Sequence, residues 1–184
     1  MNTGIVASRY ALALLKYVRE DGTGKKVYSQ SCILVGHIGE LPQLRQYLED
    51  ASDVTFDRKI SLMTASLGEA PASALVKFLK LVIAHRREDM FTRMLLSFIE
   101  QYRRENNIKV GNLVTAVSDE GLCERLETLF HDRTGAEVHL EEKVDPEVIG
   151  GFAFELDGYR LDATVSGHLT RIRRQLVEKN NRIV

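Results

Sequence analysis

The sequence predicts an α+β protein: an antiparallel six-helix bundle over residues 1–105, then a small α/β domain with a short mixed sheet and a β-hairpin over residues 106–184. Three observations predict it. Apolar residues recur at i, i+3, i+4 spacing in successive segments as far as Arg104. Past Glu105-Asn106-Asn107 the period changes, and strand-like runs appear. Asp157-Gly158 then joins Phe152–Leu156 to Tyr159–Ala163, and this dipeptide suits a two-residue type I′ hairpin turn.

The first helix is expected over 5–19, with Ala7, Tyr10, Ala11, Leu14, Leu15 and Val18 in one broad stripe. Ala7 and Ala11 are small and one turn apart, so a second helix can approach closely there. Asp21-Gly22-Thr23-Gly24 breaks this helix. A second runs over 25–38 on Val27, Ser31, Leu34 and Ile38, and a short third covers 41–48. The fourth, 57–67, turns Ile60, Met63 and Leu67 inward and ends at Gly68 and Pro71. In the fifth, 72–85, Leu75, Val76, Phe78, Leu79, Leu81, Val82 and Ile83 cover more than one face, which predicts a central helix. The sixth, 88–104, carries Phe91, Met94, Leu95, Phe98 and Tyr102.

In the second domain, 108–117 is apolar on both faces and is expected to be a central strand. Ser118 is expected to cap the next helix, with Asp119 and Glu120 favourable at its positive end. That helix turns Leu122, Leu126, Leu129 and Phe130 inward and stops at Gly135, before a strand over 137–144. The Asp-Gly turn fixes the hairpin register: Leu156 faces Tyr159, Phe154 faces Leu161, Glu155 faces Arg160 and Ala153 faces Asp162. Gly150-Gly151 leads into the hairpin, and Gly150, Gly151, Asp157 and Gly158 are expected to set its geometry. A last helix, 165–179, carries Val165, Leu169, Ile172 and Leu176, and it is expected to cover Phe152, Phe154 and Leu161.

Composition excludes several functions. The formal net charge is -1, with 15 Lys+Arg against 12 Asp+Glu over residues 1–105 and 10 against 14 over 106–184. Neither half has the basic footprint of a nucleic-acid binder. No apolar run reaches the roughly 18 to 20 residues that span a bilayer. Cys32 and Cys123 lie far apart and are expected to be buried, reduced thiols. Gly22-Thr23-Gly24-Lys25 lacks a Gly six places before the Lys and a Ser or Thr after it, so no phosphate loop is expected. His37, His85, His131, His139 and His168 show no metal-ligand spacing, and no serine has a nucleophile motif. Glu141, Glu142 and Asp145 read as a solvated strand edge. No catalytic residue, cofactor or metal site is therefore expected. One alternative stays open: a regulatory or RNA-binding module that stacks bases on Phe152 and Phe154 beside Arg171, Arg173 and Arg174.

Two motifs bear on function. Val144-Asp145-Pro146-Glu147-Val148-Ile149-Gly150-Gly151 precedes the hairpin, with Asp162 and Gly167-His168-Leu169 beyond it. Near the other end stands Ala7-Ser8-Arg9-Tyr10-Ala11-Leu12-Ala13-Leu14. Together they resemble the delta subunit of the F-type ATP synthase, the oligomycin sensitivity conferring protein family. The resemblance spans essentially the whole chain. Val148-Ile149 and Ala163-Thr164 depart from its common Leu-Ile and Gly-Ser or Ser by packing-compatible changes.

The resemblance implies a stator subunit without an active site of its own. Its N-terminal bundle grips N-terminal helices of the alpha subunits on the catalytic head, and its C-terminal domain engages the b subunits of the peripheral stalk. By the same resemblance the helix-binding groove lies between the first and fifth helices. Ala7, Tyr10, Ala11 and Leu14 with Leu75, Leu79 and Val82 are its candidates, and Ala11→Trp is expected to block it. The helix motif begins close to Met1, so no organelle leader is expected. The expected location is the cytoplasmic face of a bacterial inner membrane, as a peripheral part of the complex.

Overall fold

The computed structural model describes residues 3–50, 55–117, 120–146, 148–156 and 159–180, the side chains of 120 and 174–180 excepted. The Asp157-Gly158 turn and the Ser118-Asp119 cap lie outside the described residues, as do the side chains of Arg174 and Leu176. The chain divides into two compact units, residues 1–106 and 107–184.

The first unit is helical: α1 (Thr3–Glu20), α2 (Gly24–Glu40), α3 (Pro42–Glu49), α4 (Phe56–Leu67), α5 (Ser73–Ala84) and α6 (Phe91–Glu105), with a 3-10 turn at Glu88–Met90 leading into α6. Pro42 opens α3, where the missing N–H would be unpaired in any case. The central helix is α6. It buries Phe91, Met94, Leu95 and Phe98 completely and packs against α1, α2 and α3. α5, expected to be central, buries Ala74, Leu75, Phe78, Leu79 and Val82 on one side and leaves Lys77, Lys80, Leu81 and Ala84 exposed. Its surplus of apolar residues marks an open edge.

A fully antiparallel order is also not what forms. Arg93 Nη1 donates to Thr3 Oγ1 at 3.0 Å, Gln101 Nε2 to Ser8 Oγ at 3.1 Å and Arg19 Nη1 to Glu105 Oε1 at 2.9 Å. Like ends meet, so α1 and α6 run in the same direction. Reversal at every connection would make them antiparallel. Helix hairpins use loops of about two to five residues, and only Leu41 separates α2 from α3.

Lys59 of α4 is 1% exposed. Its Nζ donates to Leu48 O at 3.1 Å and Asp50 O at 2.5 Å, tying the end of α3 to α4. Burial pulls the amine's pKa down, and the Glu88 and Asp50 carboxylates pull it back up. Lys59→Met removes two donors from buried carbonyls. It is expected to cost about 2–3 kcal/mol, read as a lower urea midpoint at unchanged slope.

The second unit holds β1 (Ile108–Thr115), α7 (Glu120–Thr134), β2 (Glu137–Val144), β3 (Phe152–Leu156), β4 (Tyr159–Asp162) and α8 (Val165–Asn180). The sheet order is β2-β1-β3-β4, with β1 and β2 parallel and the other pairs antiparallel. The hairpin pairs in the expected register, Phe154 with Leu161 and Leu156 with Tyr159. A parallel pair needs a crossover, and α7 provides it. α7 therefore covers the sheet, a place expected of α8. Leu122, Leu126 and Phe130 pack on Leu113, Val138, Phe154 and Leu156, and the rings of Phe130 and Phe154 stack with centroids 4.7 Å apart. Leu129, Leu161 and Tyr159, beyond that contact, are exposed.

Two glycines make the joint between hairpin and α8. Gly151 has φ +80°, and a Cβ there would stand 2.2 Å from Ala163 O. Around it, Val165 N donates to Gly150 O and Ala163 N to Phe152 O, each at 2.9 Å. Asp162 Oδ1 accepts from Thr164 N at 3.0 Å and Thr164 Oγ1 at 2.6 Å, while Thr164 Oγ1 accepts from Gly167 N at 2.9 Å and so caps α8. A Cβ at position 167 would lie 2.5 Å from Asp162 Oδ2. The Thr164 hydrogen bonds hold the Asp162 carboxyl below its ordinary pKa.

Candidate partner-binding groove

α1 and α5 pack antiparallel: Tyr17 meets Lys77 at one level, and Tyr10 meets His85, ring edge to face at 6.3 Å, at the other. Between them runs an open apolar groove of about 230 Å³ lined by Ala13, Leu14, Tyr17, Ala74, Lys77, Phe78 and Leu81. Small side chains create it. Ala13 and Ala74 leave space where larger residues would close the seam, and buried Leu14 and Phe78 form an apolar floor. Leu81, 42% exposed, stands at the rim. Lys77 Nζ donates to Tyr17 O–H oxygen at 2.8 Å and lies 5.3 Å from the ring centroid, which keeps a cation beside the groove. The hydrogen bond to Tyr17 raises the lysine's pKa.

Gln30 sets the position of α5 from beneath. It is 2% exposed. Its Oε1 accepts from Ala72 N at 2.8 Å, and its Nε2 donates to Ala70 O at 3.2 Å and to the Glu69 carboxylate. This clasp holds the connection from which α5 starts, one residue before Ser73.

Of the seven groove candidates from the sequence, only Leu14 lines this depression. Ala7, Ala11, Leu75, Leu79 and Val82 are 3% exposed or less and belong to the core of the helical unit, and Tyr10 is half-buried beside them. Ala13, Tyr17, Ala74, Lys77, Phe78 and Leu81 line the groove without having been singled out as its residues. The available signal was the excess of apolar positions on α5, which includes Phe78 and Leu81.

Elsewhere the structure narrows the alternatives. Phe154 is 5% exposed and stacked on Phe130, and Phe152 packs on the same cluster, so these rings do not form an open platform for bases. Cys32 and Cys123 are half-buried, more open than expected. Among the described residues no three His, Cys, Asp or Glu side chains gather in a way that holds a metal.

Comparison with known proteins identifies the chain's relatives. The sequence profile of the ATP synthase delta (OSCP) subunit family matches residues 6–176. ATP synthase subunit delta of Phocaeicola vulgatus is 37% identical over 187 aligned positions, covering 100% of both chains. The subunit of the same name from Bacteroides thetaiotaomicron is 32% identical, again over 100% of each. In fold, a chain of the Toxoplasma gondii mitochondrial ATP synthase hexamer matches with a TM-score of 0.61 at 20% identity, over 93% of this chain and 97% of that one. With a profile match over most of its length and relatives that align end to end, the chain belongs to the ATP synthase delta (OSCP) subunit family.

Proposed function

We propose that the groove between α1 and α5 receives an amphipathic helix from the N-terminus of an alpha subunit, and that the second unit takes the end of the peripheral stalk built by b subunits. In this reading residues 1–105 act as a six-helix bundle on the catalytic head and residues 106–184 as a stalk-binding domain. The chain is a non-catalytic stator subunit of the ATP synthase. Rotation of the central stalk drives ATP synthesis only if the head is kept from turning with it, so this subunit carries torque while the chemistry proceeds elsewhere. Among the described residues no helix is long and apolar enough to cross a membrane. Its place as a peripheral part of the complex, at the cytoplasmic face of a bacterial inner membrane, follows from its partners.

The observation that carries this reading is the open, apolar groove with a rim leucine and one fixed cation. A helix that lays an i, i+3, i+4 apolar stripe into such a groove gains affinity from burial, about 25 cal/mol per Å² of apolar surface. Carboxylates beside that stripe would find Lys77 at the rim. The test is coupling in the assembled complex. With Leu81→Asp in place, ATP hydrolysis by the head is expected to continue while ATP-driven proton pumping falls several-fold. Pumping at the unsubstituted level would place the load-bearing contact elsewhere.

A further inference from the structure

The positive charge of the first unit is concentrated on the two helices that form its groove. α1 and α5 hold Arg9, Lys16, Arg19, Lys77 and Lys80 against one carboxylate, Glu20, an excess of four. Residues 1–105 as a whole have an excess of only three. Helical spacing says where these cations stand. Arg9, Ala13 and Lys16 are four and three residues apart, so both cations flank the alanine that lines the α1 side of the groove. Lys77 lies three residues before Lys80 and four before the rim residue Leu81, along the α5 side. Arg9, Lys16, Lys77 and Lys80 are all exposed. Among the described residues Arg9, Lys16 and Lys80 have no carboxylate partner, whereas Arg19 is paired with Glu105 of α6. At the Tyr10 end the Arg87 guanidinium lies over the tyrosine ring, 5.8 Å from its centroid.

We infer that the groove selects its occupant by charge: the docked helix carries carboxylates on both flanks of its apolar stripe, one row facing Arg9 and Lys16 and the other facing Lys77 and Lys80. The inference rests on the proposed alpha-subunit contact and names the chemistry that contact requires. Apolar burial sets how deep the helix lies, because the floor of Leu14 and Phe78 is only 2% and 4% exposed and favours any apolar side chain that reaches it. Such a floor does not tell one amphipathic helix from another. Cations on both rims do, since a basic flank on the occupant meets like charge whichever way round the helix lies. The concave seam favours a helix over an anionic lipid surface, which would touch the rim cations without reaching the floor.

Isothermal titration of the full chain tests this with three ligands: an alpha-subunit N-terminal peptide, and two synthetic helices that share one i, i+3, i+4, i+7 leucine stripe and carry either Glu or Lys on both its flanks. The Glu-flanked helix is expected to bind at least about 10-fold more tightly than the Lys-flanked one, with added salt narrowing the difference. Ala13→Trp weakens both, which places them in the groove. Lys16→Glu combined with Lys77→Glu reverses one exposed cation on each rim. It is expected to weaken the alpha peptide and the Glu-flanked helix by about 10-fold and to strengthen the Lys-flanked one. If the alpha peptide binds and this double substitution leaves its affinity unchanged, the groove reading stands and charge selection is overturned. Equal binding of the two synthetic helices to the unsubstituted chain has the same meaning. If the alpha peptide does not bind at all, the groove reading and the inference fall together. Sedimentation with phosphatidylglycerol vesicles that is lost on the double substitution, while the two helices bind alike, would make the cations a lipid-facing patch, which also overturns the proposal.

Discussion

Leu81→Asp is expected to weaken binding of an alpha-subunit N-terminal peptide by about 30-fold or more, with little change in the thermal stability of the free protein. The side chain is 42% exposed at the groove rim, so the folded chain loses little when it changes. In the complex the same position is covered. Burying a leucine there contributes about 1.5–3 kcal/mol, and a carboxylate in its place adds a desolvation cost. Ala13→Trp should act in the same way by filling the groove, because Ala13 is exposed and, with Ala74, lines a space of about 230 Å³. Isothermal titration with the full chain measures both. Ala11→Trp, the block suggested by the sequence, is a poor choice. Ala11 is 0% exposed, and overpacking it is expected to destabilise the helical unit by about 1–3 kcal/mol or more before any effect on binding can be read.

The second large effect is on folding. Gly151→Ala is expected to destabilise the second unit by at least about 2–3 kcal/mol. The residue has φ +80°, and its new Cβ would meet a backbone oxygen, Ala163 O, at 2.2 Å. Neither atom is the end of a flexible side chain, so relief requires the two strands of the joint to separate. Separation breaks the Val165 N to Gly150 O and Ala163 N to Phe152 O bonds that anchor the start of α8. Hydrogen exchange reads the result: amides of Ala163 and Val165 lose protection first, while those of α1 and α6 keep theirs.

Much of the fold was legible because its signals are local. Period 3.6 gave the helices of the first unit, and a dipeptide gave the register of β3 and β4, even though the dipeptide itself lies outside the described residues. What failed was non-local. Which helix covers the sheet depends on β1 and β2 being parallel, since that pairing places α7 on the face that α8 was expected to take. Strand direction leaves no mark in residue periodicity. In the same way, seven apolar residues on α5 signal more than one apolar face, but a buried face and a docking face have the same composition. The groove turns on Ala13 and Ala74, two small residues from helices far apart in sequence, and nothing in either segment alone shows that they meet. Periodicity located the stripe on α1. Its edge, where Ala13 and Tyr17 lie, sits outside that stripe, so the candidates drawn from the stripe's centre became core.

The central claim is that the α1–α5 groove is a helix-binding site, and a chemical-shift titration of the isotopically labelled full chain with an alpha-subunit N-terminal peptide tests it most directly. The account predicts saturable shifts at tens of micromolar peptide, concentrated at the amides of Ala13, Tyr17, Ala74, Lys77 and Leu81. No shifts at that concentration, or shifts centred on α2 and α4 with those five unmoved, would contradict it.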